Sequence, residues 1–418
     1  MDKFSLDQAR NLDRADMIAG FRNKFLINDP DEIYLLGNSL GRLAESVKAE
    51  LQKVVVDEWG GQLIRSWNAD WYNMPIRIGD ALGQLLGAKS GQVIVADSTS
   101  VNLFKVVTAL LAQQKGRSEI ISDTCNFPSD LYVLQGAVDG SPELHLTLVD
   151  HIGDLPAEDE ICQKMTTNTA LVVLSHVAFK SGARYNIEKI NQKARQVGAL
   201  VIWDFSHSVG VLPLHLDDWQ VDGAVGCTYK YLNAGPGAPA FLYVRSELQS
   251  GNPWLQGWFG QNRPFEFEIQ YSPAMGMRRF LTGTPSVLSM SAIEPSVHLT
   301  LEAGIQNVYR KSQCLTDYFL KGVAAMLLEF DFSILTPLDP ELRGGHVTLC
   351  HPNARNIAHL LINEKKVIVD FRADDAIRFG FSPLYNSFEE VFLTVQRLRD
   401  IMQHSDYKAV QIKSLPVT

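Results

Sequence analysis

Residues 199–244 read ALVIWDFSHSVGVLPLHLDDWQVDGAVGCTYKYLNAGPGAPAFLYV. Three short apolar runs, 199–204, 223–228 and 238–244, lie between turn signals and are too brief for ordinary helices, so each is expected to be a buried strand. Working outward, similar runs occur at 118–122, 144–149 and 170–175, separated by stretches with helical spacing at 101–114, 156–166 and 186–197. Strands alternating with helices form a mostly parallel sheet covered by helices, an α/β domain. Ligands of such sheets gather at the carboxyl ends of the strands, which is where chemistry is expected.

The C-terminal quarter has a different texture. A helix through 305–330, strands near 346–350, 367–371 and 376–381 and a last helix near 387–403 suggest a smaller α+β domain. The first eighty residues add two or three helices and an extended segment, 33–36, that runs into the turn Gly37-Asn38-Ser39. The expected division is an N-terminal segment, 1–60, packed with the small domain, then a large domain over 61–300 and the small domain over 301–418.

Composition narrows the function classes. The chain has 418 residues, 46% hydrophobic and 20% charged, enough for a large core and more than one domain. A formal net charge of -9, with no clustered Lys/Arg run, speaks against nucleic acid as a partner. No apolar stretch approaches the ~20 residues needed to span a bilayer, and charges interrupt the N-terminus where a secretory signal would be continuous. A cytoplasmic location without membrane contact is expected. Cys125, Cys162, Cys227, Cys314 and Cys350 form no C-x-x-C pair, so neither a disulfide framework nor a thiolate metal site is expected.

The opening stretch also carries the chemistry. Asp204 closes an apolar strand, where a carboxylate is costly unless a cation or an N–H meets it, and a pyridinium N–H would fit. His207 can lie against the same ring. Lys230 follows a second strand and precedes a Gly/Pro-rich turn; a partly desolvated lysine favours the neutral amine that attacks an aldehyde. Singly, these are a helix cap, a core histidine and a loop lysine. Together, each at a strand end, they point to pyridoxal phosphate held as a Schiff base on Lys230. Thr99 and Ser100, at the start of a helix after the apolar run 93–96, can cradle its phosphate with hydroxyls and backbone N–H groups, although a plain helix cap is the simpler account of them alone. Phe127, in Phe127-Pro128-Ser129-Asp130, can stack on a flat ring, or the tetrapeptide is merely a turn. Arg378 interrupts an apolar strand and matches a substrate α-carboxylate bidentately, with a structural ion pair as the competing reading. Asp204 and His207 find no further ligand at convincing spacing, so no metal is expected.

Several of these segments are long and uncommon, and they resemble kynureninase from about residue 34 to residue 385. The resemblance is carried by residues 34–41 (YLLGNSLG), Val101-Asn102-Leu103, residues 126–130 (NFPSD), residues 204–208 (DFSHS), residues 227–237 (CTYKYLNAGPG), Gly257-Trp258-Phe259-Gly260, Ile377-Arg378 and residues 383–386 (PLYN). It implies the fold of the aspartate aminotransferase type, with a mostly parallel seven-stranded sheet, and hydrolysis of L-kynurenine to anthranilate and L-alanine by Cβ–Cγ cleavage, in tryptophan catabolism. It further implies that Lys230 holds the cofactor, Asp204 pairs with its ring nitrogen and His207 lies near the ring. Thr99, Ser100, Tyr229 and Trp258 would serve the phosphate, Phe127 would stack on the ring with Asp130 and Ser175 close by, and Arg378 would take the substrate carboxylate. Tyr229 assists proton transfer around the carbonyl or only binds phosphate. Trp67 walls the aryl pocket or is a core residue. A homodimer is implied, with Trp258 and Thr284 contributed across the interface. Thr284 stands where many members carry Asn, which puts the choice between kynurenine and 3-hydroxykynurenine at that position.

Two other classes compete. A cysteine desulfurase or a related class V aminotransferase would share the Asp204 and Lys230 pattern, but a desulfurase needs a mobile loop thiol, whereas Cys314 falls in an expected helix and Cys350 in an expected strand. A non-enzymatic binding module should have lost Lys230 or Arg378.

Overall fold

The computed structural model describes residues 4–150, 153 and 155–409. A short strand, β1 (Ile33–Tyr34), precedes the seven strands of the main sheet: β2 (Val93–Ala96), β3 (Glu119–Asp123), β4 (His145–Val149), β5 (Thr169–Ser175), β6 (Leu200–Asp204), β7 (Gly223–Gly226) and β8 (Ala240–Val244). Their order is β2-β8-β7-β6-β5-β3-β4, parallel from β7 through β4, with β8 antiparallel to both its neighbours. Every residue of β5 is buried, as a strand covered on both faces requires. The last residues of β5 and β6, Ser175 and Asp204, sit side by side in register, so two polar side chains share one edge of an apolar sheet.

The helices connecting these strands are locally encoded. In Ile187–Val197 the Asn186 side chain accepts from the Lys189 N–H at the start, and Gly198 ends the helix in the left-handed region at φ 77°. Its buried residues Ile187, Ile190, Asn191 and Ala194 lie on one face, and Asn191 accepts the Trp203 indole N–H at 3.0 Å. That bond fixes the strand whose end is Asp204.

The small domain is a four-stranded antiparallel sheet, order β12-β13-β10-β9, built from β9 (Ser333–Ile334), β10 (His346–Cys350), β12 (Asp370–Arg372) and β13 (Ala376–Gly380). The helices Ile305–Met326, Ala354–Asn363 and Phe388–His404 share its apolar core. Part of the N-terminal segment packs against this sheet, with Ala9, Ile33 and Leu35 in its apolar core. β1 pairs with β11 (Val367–Ile368), and Asp13 accepts the first N–H groups of the last helix, from Phe388 at 2.7 Å and Glu389 at 3.0 Å.

Two expectations need adjusting. Phe127-Pro128-Ser129-Asp130 opens a helix, Pro128–Asp139, rather than a simple turn; proline at the first helical position has no N–H to lose and a φ already helical. The run 93–96, read only as the approach to a phosphate cradle, is the edge strand β2.

Candidate active site

The carboxyl ends of β5, β6 and β7, the starts of two helices and the small sheet enclose a cavity of about 550 Å³. Of the residues singled out in the sequence, Thr99, Ser100, Phe127, Asp130, Ser175, Asp204, His207, Tyr229, Lys230 and Arg378 all line it.

Lys230 Nζ lies 3.0 Å from His207 Nε2. Burial, reinforced by the Lys230 charge, holds the His207 imidazole well below its ordinary pKa, so the neutral ring accepts from the lysine. The other ring nitrogen, Nδ1, is buried without a partner. The Lys230 backbone is pinned from the far end of the chain: the Gly41 N–H donates to the Tyr229 carbonyl at 2.8 Å, and a Cβ on Gly41 would fall 2.5 Å from the Lys230 carbonyl oxygen. Only glycine permits that approach.

Asp204 accepts the Ser206 N–H at 2.7 Å. Burial pushes its carboxyl up despite the opposing pull of Lys230. Asp130, in the first turn of Pro128–Asp139, is pushed well above its ordinary value by burial and then by Asp204, with which it shares a hydrogen bond. Two buried carboxyl groups facing one cavity without a cation fully satisfying either is an arrangement that a bound N–H or cation relieves. The Ser175 hydroxyl donates to Asn126 Oδ1 at 2.6 Å. Phe127 presents its ring to the cavity, with Lys230 Nζ 5.9 Å from its centroid.

At the other end, the helix Thr99–Leu111 begins at the cavity wall, capped by Ser98, whose hydroxyl oxygen accepts from the Val101 N–H. The Thr99 and Ser100 N–H groups have no intrahelical acceptor, and with the helix dipole they favour a dianion there. Tyr229 is held protonated, by Cys227 and then by burial. Pyridoxal phosphate fits this donor set: Phe127 would face its flat ring, Asp204 would meet its ring nitrogen, Lys230 its aldehyde, and Thr99 and Ser100 its phosphate.

The small sheet closes the cavity with Arg378, which is bound bidentately by Asp370, Nε to Oδ1 at 2.7 Å and Nη2 to Oδ2 at 2.5 Å. Burial would raise the Asp370 carboxyl, but the Arg378 bonds outweigh it and hold the group low. Sequence reasoning missed Arg372 and the Asn38-Ser39 turn as parts of this wall, and Asp97, just after β2 on the main-sheet side, as part of the lining. The available signal for Arg372 was its two-residue spacing from Asp370, which puts both side chains on one face of a strand.

Trp67, Trp258 and Thr284 do not line the cavity of their own chain. Trp67 packs edge-on against Trp71 and tilted against Phe259, Trp258 lies against Phe259, Phe265 and Phe267, and Thr284 is exposed before Pro285. Among the described residues, no helix is long and apolar enough to cross a membrane.

Comparison with known proteins gives the same outline. A family model described as the kynureninase C-terminal domain matches residues 308–398. Curated kynureninases from Pseudomonas fluorescens and Burkholderia pseudomallei are similar along nearly the whole chain: the first is 39% identical over 409 residues, 96% of each chain, and the second 38% over 410 residues, 96% of this chain and 97% of its own. Among solved structures, the apo cysteine desulfurase of Thermococcus onnurineus superposes with a TM-score of 0.79 at 18% identity, covering 92% of this chain and 98% of that one. A C-DES mutant with glycine covalently linked to its PLP cofactor gives 0.79 at 19%, covering 91% and 99%. At such identities the two structures share the fold and nothing finer.

Proposed function

Because the chain belongs to the kynureninase family, we propose that it hydrolyses L-kynurenine to anthranilate and L-alanine with pyridoxal phosphate carried on Lys230. The observation that carries this is the meeting of Lys230, His207, Asp204 and Phe127 around one cavity that Arg378 closes. Bound there, pyridoxal phosphate supplies an electron sink for the carbon skeleton of an α-amino acid.

The protein's residues supply the rest. Asp204, costly as a lone buried carboxylate, is offset by an N–H and in return keeps that nitrogen protonated. Neutral His207 orients the Lys230 amine, which is placed to take and return a proton at the substrate's Cα. Phe127 and the Thr99 and Ser100 donors fix the ring and the phosphate, with Asp130 and Ser175 beside them. The Tyr229 hydroxyl, still protonated at neutral pH, donates either to the γ-carbonyl region or to phosphate. Arg378 with its neighbours orients the α-carboxylate. Water adds to the γ-carbonyl, and collapse of the hydrate breaks the Cβ–Cγ bond and releases anthranilate; the electron pair left on Cβ would pass to the sink that the cofactor supplies, and protonation there gives alanine, which leaves second.

We also take the working unit to be a cytoplasmic homodimer. Trp258, Phe265, Phe267 and Ile269 are all exposed within one short segment, an apolar surface of the kind a partner chain covers. A second copy covering it would bring Trp258 and Thr284 to complete its cavity; Thr284 would then face the aryl ring and weigh kynurenine against 3-hydroxykynurenine. The desulfurase reading gains nothing, since none of the cysteines lines the cavity.

The test is an absorbance spectrum of the purified protein with added pyridoxal phosphate, followed by titration with L-kynurenine while fluorescent anthranilate and alanine are measured. A visible band with both products is expected. A band without anthranilate overturns the substrate, and no band overturns the cofactor site.

A further inference from the structure

The three charged residues of the small-sheet wall are placed by strand geometry. Asp370 and Arg372 stand two apart on β12 and so share a face, and Asp370 is paired directly across from Arg378 on β13. The two arginines are thereby brought to the cavity lining, with Asp370 between them, but their donors are used very differently.

A guanidinium has five N–H groups. Arg378 spends four: two on Asp370, one from Nη2 to Ser39 Oγ at 3.0 Å and one from Nη1 to the Phe179 carbonyl at 2.5 Å. One N–H remains, on Nη1, so Arg378 cannot by itself clamp a second carboxylate with two parallel bonds. Arg372 spends two, from Nη2 to Asp370 Oδ2 at 2.9 Å and from Nη1 to its neighbour Phe371's carbonyl at 3.3 Å. Three N–H groups stay open on a side chain that lines the cavity and is 37% exposed. Charge agrees with geometry: two guanidinium groups against one Asp370 carboxylate leave a single positive charge, the match for one α-carboxylate.

We propose that Arg372 shares the α-carboxylate with the remaining N–H of Arg378, and that Asp370 is the positioning residue that holds both arginines in place. This rests on the reading of the cavity as a site for an α-amino acid. It assigns Arg378 a largely fixed role and Arg372 the adjustable one.

The experiment uses the holoenzyme and follows the cofactor's absorbance while L-alanine, or ethylamine as the same skeleton without its carboxylate, is titrated in. Arg372→Gln is expected to weaken L-alanine by about tenfold to a hundredfold, the loss of one or two charge-assisted bonds, with ethylamine unchanged. Arg372→Lys, which keeps the charge but not the fork, should recover part of that loss. An unchanged L-alanine affinity in Arg372→Gln, or equal weakening of both ligands, overturns the proposal. The kynureninase reading is tested separately by anthranilate release from the unaltered enzyme, because L-alanine binding can be measured whatever the larger substrate proves to be.

Discussion

The two walls of the cavity solve the problem of buried charge in opposite ways. On the main-sheet wall, Asp130 and Asp204 are buried against each other with their carboxyl groups pushed up, and His207 Nδ1 lacks a partner. On the small-sheet wall, Asp370 is just as buried, yet it is ringed by Arg378, Arg372 and Ser39 and its carboxyl is held low. One wall is incomplete without a bound group; the other is complete and keeps a surplus charge for a ligand that comes and goes. A permanent cofactor and a transient substrate ask for those two designs.

The comparison breaks most severely at Lys230. Replacing it with Ala should abolish the visible cofactor band and lower kcat by ~10⁴-fold or more, because amine and proton carrier are lost together, with the far-ultraviolet circular dichroism unchanged. The two aspartates then separate the walls by sign. Asp370→Asn leaves Arg378 and Arg372 facing each other and should destabilise the apoprotein by about 3–5 kcal/mol in urea unfolding at neutral pH. Its folded carboxyl lies below the unfolded value, so that contribution is present above about pH 4 and is lost as the pH falls through the depressed value. Asp130→Asn should instead stabilise the apoprotein by about 1–3 kcal/mol at neutral pH. Here the folded carboxyl is raised, the folded state holds the extra proton, and the parent loses stability as pH rises above about 4; the advantage of Asn must therefore shrink toward pH 4. Equal signs for the two variants would remove the distinction between the walls. The smallest effect, about 1 kcal/mol, is expected for Ser387→Ala, which deletes the capping box of Phe388–His404 and should loosen the small domain without moving the cofactor band.

What the sequence disclosed follows the same division. Asp204, His207 and Lys230 were legible because they fall within one stretch, each just beyond an apolar strand, so local pattern carried them to the same edge. Thr99 and Ser100 were legible as a helix start. Arg372 was not, because its meaning depends on the antiparallel register that sets Asp370 opposite Arg378. Nor was Ser39, which meets Arg378 across a sequence separation of 339. No periodicity reports such a contact. The helix Pro128–Asp139 was missed for a local reason: its first residues read as turn chemistry, and proline marks a helix start as readily as a turn.

The turn at residues 37–41 holds the two walls together. Gly37 N–H donates to the Gly380 carbonyl, Ser39 touches Arg378 and Asp370, and Gly41 N–H reaches the Tyr229 carbonyl beside Lys230. On a ribosome this has a cost in time. The turn is among the first segments made and most of its partners are among the last; at roughly 5–20 residues per second it waits on the order of 20 to 70 s for residues 366–380 to be synthesised. From the time β8 is made the main sheet can form, but the active site cannot until residues 366–380 follow, so a nascent chain arrested before Lys366 should leave the turn open to protease, and release of the finished chain should close it.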